Sequence, residues 1–272
     1  MIKKSTRLAL TLIMALVCLV TVFPFYIMFV MGTYYSEDLF KGLALLPSNY
    51  LMQNLNTVLS SSFLSSYANS LYIAVACTLI SSISSAMAGF AFSKYEFWGK
   101  SALFALVLAM LMIPSQLGMI AYIWEMKQLG LTDTHLPLIL PALSSSFGVF
   151  WMRQYITDSV PNEVLDSARI DGGNDVRIFF QIVLAFIRPA LMSTGLLFFL
   201  WSWNSYMLPM LVLTQPRLYT IPLCIATLRD FMRVDYGAQI LGLSLGTLPM
   251  LCVFIVFSKS LISGLTASAV KG

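Results

Sequence analysis

Hydrophobic residues dominate six long stretches of this 272-residue chain, and short polar segments separate them. About 20 consecutive apolar residues let an α-helix cross the hydrocarbon core of a bilayer. Inside that core the backbone must satisfy its own hydrogen bonds, which favours helices over irregular chain. The pattern therefore predicts an all-α membrane protein with six transmembrane helices. Their predicted bounds are 8–31, 68–92, 101–124, 136–155, 189–213 and 239–261.

The second stretch is rich in small residues, which let helices approach each other closely in lipid. These residues are Ala74, Ala76, Ser81, Ser82, Ser84, Ser85, Ala86, Ala88 and Gly89. We therefore expect this face of the second helix to be buried against other helices. In the third stretch, Pro114 predicts a kink because proline interrupts the helical hydrogen-bond ladder.

Charged residues are scarce and unevenly distributed. The chain is 58% hydrophobic and 10% charged, whereas an average soluble domain is about 25% charged. Of the 16 Lys and Arg residues, 11 lie on one side of the six spans: in the termini, in the connections 93–100 and 156–188, and, as Arg153 and Lys259, near the ends of two spans. Because Lys and Arg accumulate in cytoplasmic segments, both termini are predicted to be cytoplasmic. The first stretch exceeds the roughly 7–15 apolar residues of a signal peptide, which predicts a retained span.

Several kinds of chemistry find no support in the sequence. His135 is the single histidine, and the four cysteines show no CxxC spacing typical of metal sites. The triplet Gly99–Ser101 reads GKS, but position 94, where a phosphate-binding loop requires Gly, is Lys94. The spans lack acidic residues, which argues against an ion-coupled carrier. Four acids fall in the predicted external loops, where they are either solvated or in contact with a docking protein: Glu125, Asp133, Asp230 and Asp235.

The longest predicted cytoplasmic connection, 156–188, has the pattern of two short helices joined by a sharp turn. Asn162 is a suitable N-cap, and the following acids favour a helix N-terminus. Gly172 and Gly173 predict the end of the first helix, and Asn174 or Asp175 is suited to cap the second. The helical spacing predicts one apolar side on each helix. These sides comprise Val164, Leu165 and Ala168, and then Val176, Phe179, Phe180 and Val183.

This connection resembles the EAA loop of ABC importer permeases, whose pattern is E-A-A, three residues, G, nine residues, I-x-L-P. Asp166-Ser167-Ala168, Gly172 and Ile182–Ala185 keep that spacing, with Asp166, Ser167 and Ala185 departing in residue type. Further segments resemble carbohydrate permeases of the maltose type, specifically the shorter six-span subunit. They are Met112–Gln116, Lys127–Pro141, Phe147–Tyr155, Phe199–Met210 and Gly264–Gly272. The resemblance implies one permease domain over residues 1–272 with the architecture of type I importers.

The resemblance also implies partners and roles. A separate pair of ATP-binding subunits would hold Mg-ATP, so this chain itself would need no cofactor. A second homologous permease would complete the pathway in the bilayer, and an extracytoplasmic protein would deliver the sugar. Nucleic acid is not an expected partner, and the expected location is a bacterial or archaeal plasma membrane. The residues expected to couple to the ATPase are Glu163, Val164, Leu165, Asp166, Ala168, Arg169, Asp171 and Gly172.

Five further residues are candidates for the substrate pathway, with helix packing or interfacial anchoring as the alternative role. They are Gln116, Trp201, Trp203, Asn204 and Tyr206. Aromatic faces can stack on sugars, and an amide within a membrane requires a partner or a wet cavity. Two other functions stay open at this stage: import of a glycerol phosphate by an ABC permease, and an ion-coupled secondary carrier.

Overall fold

The computed structural model describes residues 4–42, 44–230 and 233–256. The α-helices are α1 (Lys4–Met31), α2 (Leu51–Ser60), α3 (Phe63–Lys94), α4 (Lys100–Met112), α5 (Met119–Gln128), α6 (Leu136–Ile139), α7 (Ser146–Ser159), α8 (Asn162–Ile170), α9 (Asp175–Ile178), α10 (Leu184–Phe186), α11 (Arg188–Trp203), α12 (Met207–Val212), α13 (Ile221–Ala226) and α14 (Tyr236–Gly246). Short 3₁₀ helices span Asp38–Phe40, Ser115–Gly118, Leu140–Ser144 and Pro216–Leu218, and a π-helical turn spans Phe179–Val183. Strands β1 (Arg229–Asp230) and β2 (Arg233–Val234) pair antiparallel.

The described residues include four helices long and apolar enough to cross a membrane, or up to six if each of two bent helix pairs forms one span. The predicted helical class is therefore confirmed, and the predicted six spans are the upper value. Lys100–Met112 and Ser115–Gln128 meet at 96°, and Asp175–Phe186 and Arg188–Trp203 meet at 83°. The first bend contains Pro114, so the predicted kink is present and is sharp enough to break the helix.

On helix α3, small residues lie on the buried face and large apolar residues lie on the exposed face. Ala74, Ser85 and Ala86 are fully buried, as expected for the small-residue face. The opposite side exposes large apolar residues at four-residue intervals: Leu71, Val75, Leu79, Ile83 and Met87. This arrangement suits a helix in lipid, where close backbone approach drives packing and long apolar side chains face the hydrocarbon.

Two compact units are distinguishable by their internal contacts. The first contains the described residues of 1–64 and 221–248, and the second contains those of 65–220 and 249–256. In the first unit, the buried Asn54 side chain donates from Nδ2 to the carbonyl oxygens of Gly32 and Tyr34 at 2.9 and 2.8 Å. Asp235 caps α14 by accepting from the Ala238 amide at 3.0 Å. The cap gives this predicted external acid a structural role.

The second unit contains an extended cluster of buried apolar side chains. Phe90 of α3, Met152 and Ile156 of α7, and Val183 and Ile187 beyond α9 are all buried in it. A smaller cluster joins Ala74, Phe199 and Trp203. The sixth predicted span is helical up to Val256, and its remaining residues to 261 lie outside the described part of the chain, as does the segment Gly264–Gly272.

Replacement of Gly89 by Ala tests the close helix contact in the second unit. A Cβ atom at Gly89 would lie 2.7 Å from the Arg153 nitrogen and 2.7 Å from the Met152 Cβ, so α3 and α7 would have to separate. We expect a loss of about 1–3 kcal/mol of stability, as for other overpacked cores. Gly118→Ala is the matched control, because a Cβ there meets nothing within 4 Å. Thermal unfolding in detergent measures both, and equal midpoints would contradict the close approach.

Candidate coupling surface and cavity

Helix α8 begins directly after Pro161, whose extended backbone (ψ 142°) points the chain into the first turn. Asn162 is the first residue of the helix and not its cap, and no side chain caps this terminus. Instead, the Asn162 Oδ1 accepts a hydrogen bond from Lys94 Nζ at 2.9 Å, and the same ammonium donates to the Val160 carbonyl at 2.6 Å. Lys94 thus ties the end of α3 to the start of α8, and the predicted Asn162 cap is not formed.

The turn between α8 and α9 uses its two glycines for different reasons. Gly172 has φ +82°, a left-handed conformation that other residues adopt at a cost. Gly173 has ordinary backbone angles but donates its amide to the Ala168 carbonyl at 2.9 Å, and a Cβ there would lie 2.8 Å from that oxygen. Asn174 then caps α9 by accepting from the Arg177 amide at 2.8 Å. The predicted helix–turn–helix is therefore present.

Leu165 holds this helix–turn–helix against the rest of the second unit. Its side chain is 1% exposed and belongs to the cluster that includes Val160, Ile178 and Phe179. This burial corrects the expectation that Leu165 itself reaches a partner protein, because its contacts are already filled within the chain. On α9 and the π-helical turn after it, the buried apolar side consists of Ile178, Phe179 and Val183, whereas the predicted Val176 and Phe180 are exposed.

The outer surface of the helix–turn–helix combines exposed apolar and charged side chains. Ile170 is 86% exposed at the end of α8, and Val176 and Phe180 are exposed beyond the turn. The sequence interpretation missed Ile170, although its position immediately before the two glycines signals a residue at the tip of a turn. Among the predicted coupling residues, Val164 and Ala168 are half-buried, and five are exposed: Glu163, Asp166, Arg169, Asp171 and Gly172.

Arg169 organises the charges at the tip. Its guanidinium donates to Asp166 Oδ1 at 3.1 Å and lies 3.6 Å from Asp175 Oδ1, so it links α8 to α9 across the turn. The same group lies 5.7 Å from the centroid of the Tyr95 ring. Burial raises the pKa of the Tyr95 phenol, which keeps that ring neutral beneath the cation. The charge-assisted hydrogen bond to Asp166 lies within α8, and the ion pair with Asp175 is the contact that links the two helices.

The predicted pathway residues fall in different surroundings. Trp201 is 52% exposed and lines a cavity of about 380 Å³ in the second unit. Trp203 is 2% exposed and stacks on Phe199 with ring centroids 5.7 Å apart, which is a packing contact. Asn204 donates to the Leu200 carbonyl at 2.8 Å. Gln116, Asn204 and Tyr206 are exposed and are not among the residues that line this cavity. Of the five, Trp201 is therefore the residue that lines this cavity.

On the predicted external side, Asp133 joins two loops. It has φ +55° and accepts hydrogen bonds from the Thr214 amide and hydroxyl at 2.6 and 2.7 Å. These bonds lower the pKa of the Asp133 carboxyl below its ordinary value. His135 Nε2 lies 2.9 Å from the Leu218 carbonyl oxygen, which adds a second link between the same loops. Asp133 therefore has an internal structural role.

Residues 80–265 match the protein family described as "Binding-protein-dependent transport system inner membrane component". The match spans most of the chain, and it includes the helix–turn–helix and all residues that line the cavity except Ile73 and Cys77. The long apolar helices and this match define a membrane permease. The chain belongs to this family of ABC transporter permeases, as the EAA-like spacing implied.

Relatives from several organisms match nearly the whole length of the chain. The arabinooligosaccharides transport system permease protein AraQ of Halalkalibacterium halodurans is 33% identical over 268 residues, 97% of this chain and 96% of the relative. The trehalose/maltose transport system permease protein MalG of Thermococcus litoralis is 31% identical over 268 residues, 96% of this chain and 94% of the relative. The lactose transport system permease protein LacG of Rhizobium radiobacter is 31% identical over 200 residues, covering 74% of this chain and 73% of that protein.

A solved structure has the same fold. It is a chain of the crystal structure of a bacterial ABC transporter involved in the import of the acidic polysaccharide alginate. The TM-score is 0.77 at 21% identity, and the alignment covers 95% of this chain and 98% of that chain. This similarity confirms the permease fold that the sequence predicted.

Leu165 and Ile170 provide a paired test of which side of α8 faces inward. Leu165→Ala should lower stability by about 2–5 kcal/mol, because it empties a filled core position. Ile170→Ala should change stability by less than about 0.5 kcal/mol, because its side chain contacts solvent. Thermal unfolding of the purified chain in detergent measures both. A larger loss for Ile170→Ala than for Leu165→Ala would reverse this assignment.

Proposed function

We propose that this chain is the membrane-spanning subunit of an ATP-driven importer for an uncharged carbohydrate. One observation carries the proposal: relatives that match the chain from end to end are named as permeases for arabino-oligosaccharides and for trehalose and maltose. Membership of a binding-protein-dependent family supports the direction of transport, because an external delivery protein serves import. The chain would form a single permease domain and half of the translocation pathway.

The proposed assembly contains four kinds of partner: a second homologous permease, a pair of ATP-binding subunits that hold Mg-ATP, an extracytoplasmic sugar-binding protein and the bilayer. The chain itself would bind no cofactor. Eleven of its 16 Lys and Arg residues fall on the side of the termini and of the helix–turn–helix, which supports placing that side in the cytoplasm. We place the ATP-binding subunits there.

The helix–turn–helix is the proposed point of contact with the ATPase. Ile170, Val176 and Phe180 expose apolar surface there, and exposed apolar patches mark protein interaction sites. Glu163, Asp166 and Asp171 are exposed beside them and are able to accept charge-assisted hydrogen bonds. Val164, Ala168, Arg169 and Gly172 complete this surface, and Leu165 supports it from within. Closure of the ATPase would move this rigid element and bias the permease pair between inward-open and outward-open states.

Reconstituted transport tests the proposed function. The importer, assembled with its ATP-binding subunits, second permease and binding protein, should accumulate radiolabelled arabinotriose, maltose, trehalose or lactose in proteoliposomes only when ATP is supplied. Glycerol 3-phosphate, supplied in the same assay, distinguishes a glycerol phosphate permease. Uptake driven by an ion gradient without ATP would contradict the ABC mechanism, and uptake of glycerol 3-phosphate alone would contradict the sugar assignment.

Replacement of Gly172 tests coupling. A residue other than glycine at φ +82° costs about 1–2 kcal/mol, and a branched Cβ makes this conformation worse. Gly172→Val should therefore distort the turn and reduce ATP-dependent uptake at least about tenfold while ATP hydrolysis by the complex continues.

Gly172→Asn is the matched control, because asparagine tolerates the left-handed conformation and should retain most of the uptake. A Cβ at this position meets nothing within 4 Å, so the difference between the two variants reports the backbone and not crowding. Normal uptake by Gly172→Val in a normally assembled complex would remove the turn from the coupling pathway.

A further inference from the structure

Three interruptions of helical backbone meet at the cavity that Trp201 lines. Ser115 follows the break at Pro114, Ser145 lies between the 3₁₀ turn and α7 with extended ψ of 101°, and Ser205 follows the end of α11. All three residues line the same volume of about 380 Å³. At membrane depth, non-helical backbone is tolerated only where protein buries it or where it borders a polar cavity. The breaks are therefore a feature of the cavity.

The cavity contains a buried hydroxyl without a partner. Thr220 lines the cavity and is 4% exposed, and its Oγ1, which is itself buried, has no hydrogen-bond partner. A buried polar atom left unsatisfied destabilises the folded state, so such groups are normally paired. Nearby hydroxyls differ: Ser81 donates to the Ala142 carbonyl at 2.8 Å, and Ser145 accepts from the Gly148 amide at 3.1 Å. Thr220 Oγ1 therefore has unused hydrogen-bonding capacity at the wall of the cavity.

Trp201 supplies an aromatic surface to the same cavity. Phe147 and Phe198 pack against it in edge-to-face geometry, with ring centroids 5.3 and 5.9 Å away, and this packing restricts the indole orientation. Half of the residue stays exposed. An aromatic face packs well against the C–H groups of a sugar ring, because both surfaces are apolar and flat. Trp201 thus presents an indole face of fixed orientation on which a sugar ring is able to stack.

The polar groups of the cavity are neutral. Among the described residues that line it, the polar side chains are Cys77 and the hydroxyl groups, including Ser202 and Ser205, and none is Lys, Arg, Asp or Glu. A charged ligand in such surroundings would lose its hydration without gaining an opposite charge. A few hydroxyls among apolar side chains suit an uncharged ligand that carries many hydroxyls.

We propose that this cavity is a binding subsite for one uncharged sugar ring, within this chain and not only in its partners. Trp201 stacks on the apolar face of the ring, and Thr220 Oγ1 hydrogen-bonds to a ring hydroxyl, with Ser202 and Ser205 beside it. The proposal rests on the proposed function, since it names where the imported carbohydrate contacts this subunit.

Thr220→Val separates a binding role from a structural role, because valine has the same shape and lacks the hydroxyl. The assay uses the reconstituted importer and the sugar from the panel of arabinotriose, maltose, trehalose and lactose that the wild-type complex accumulates. Loss of one hydrogen bond should lower uptake at subsaturating sugar about three- to tenfold. If the hydroxyl had only a structural role, removing an unpaired buried group would leave uptake unchanged and stability equal or higher.

Thr78→Val and Trp98→Leu are matched controls. Thr78 donates to the Ala74 carbonyl at 2.7 Å within α3, Trp98 is a tryptophan that is 99% exposed, and neither lines the cavity. Both should keep wild-type uptake, whereas Trp201→Leu should lower it about as much as Thr220→Val does, because an aliphatic side chain offers no flat ring.

A second measurement keeps the test valid if Thr220→Val assembles poorly. Ser205→Cys, placed in a chain whose four native cysteines are changed to alanine, should react with a small methanethiosulfonate reagent. The transported sugar should slow that reaction at least about threefold, whereas glycerol 3-phosphate should leave it unchanged.

The outcomes distinguish a failure of the proposed function from a failure of the proposed subsite. Failure of the wild-type importer to accumulate any sugar of the panel overturns the proposed function. Normal sugar uptake by the wild type and equally by Thr220→Val and Trp201→Leu overturns the subsite alone, as does labelling of Ser205→Cys that the transported sugar does not slow.

Discussion

The need of every backbone amide and carbonyl for a hydrogen-bond partner in a lipid environment governs this structure. It makes the apolar stretches helical, and it determines where the helices are allowed to stop. Pro114, Ser145 and Ser205 each mark an interruption. The serines at or next to these interruptions border one cavity. The places where the helical hydrogen bonding is interrupted therefore also supply hydroxyl groups to the proposed sugar subsite. Elsewhere, small residues on α3 permit the close packing that covers its backbone.

The helix–turn–helix is fixed by side-chain contacts on its inward side. Its rigidity comes from a buried Leu165, a Lys94 ammonium that joins α3 to α8, and an Arg169 guanidinium that joins α8 to α9. These contacts use up the inward side of the element. The outward side retains Ile170, Val176 and Phe180, which gain nothing from exposure to water. An element that is firmly attached and apolar on its outer side is well suited to transmit a conformational change from a bound partner protein.

Part of the candidate coupling surface and of the cavity was predictable from the sequence. The turn was predictable because a pair of glycines after a helical pattern usually ends the helix. The sequence left Asn174 or Asp175 as the cap of α9, and the structure shows that Asn174 is the cap. The choice between Leu165 and Ile170 as the outward residue was not predictable, because both are apolar and lie five positions apart, and the neighbouring helices decide which becomes buried. The different roles of Trp201 and Trp203 were also not predictable, because their side chains are identical. Trp203 is buried against Phe199, whereas Trp201 lines the cavity.

The sequence by itself determined the helical class, the apolar stretches and the glycine turn, because these depend on composition, periodicity and spacing along the chain, and the family came from the resemblance of its segments to known permeases. Tertiary structure alone decided the depth of the bend at Pro114, the inward side of α8, the internal use of Asp133 and the cavity around Thr220 and Trp201. Those features depend on which residues meet across long separations. Thr220 illustrates the difference: its hydroxyl is ordinary in the sequence and becomes informative only when folding buries it without a partner.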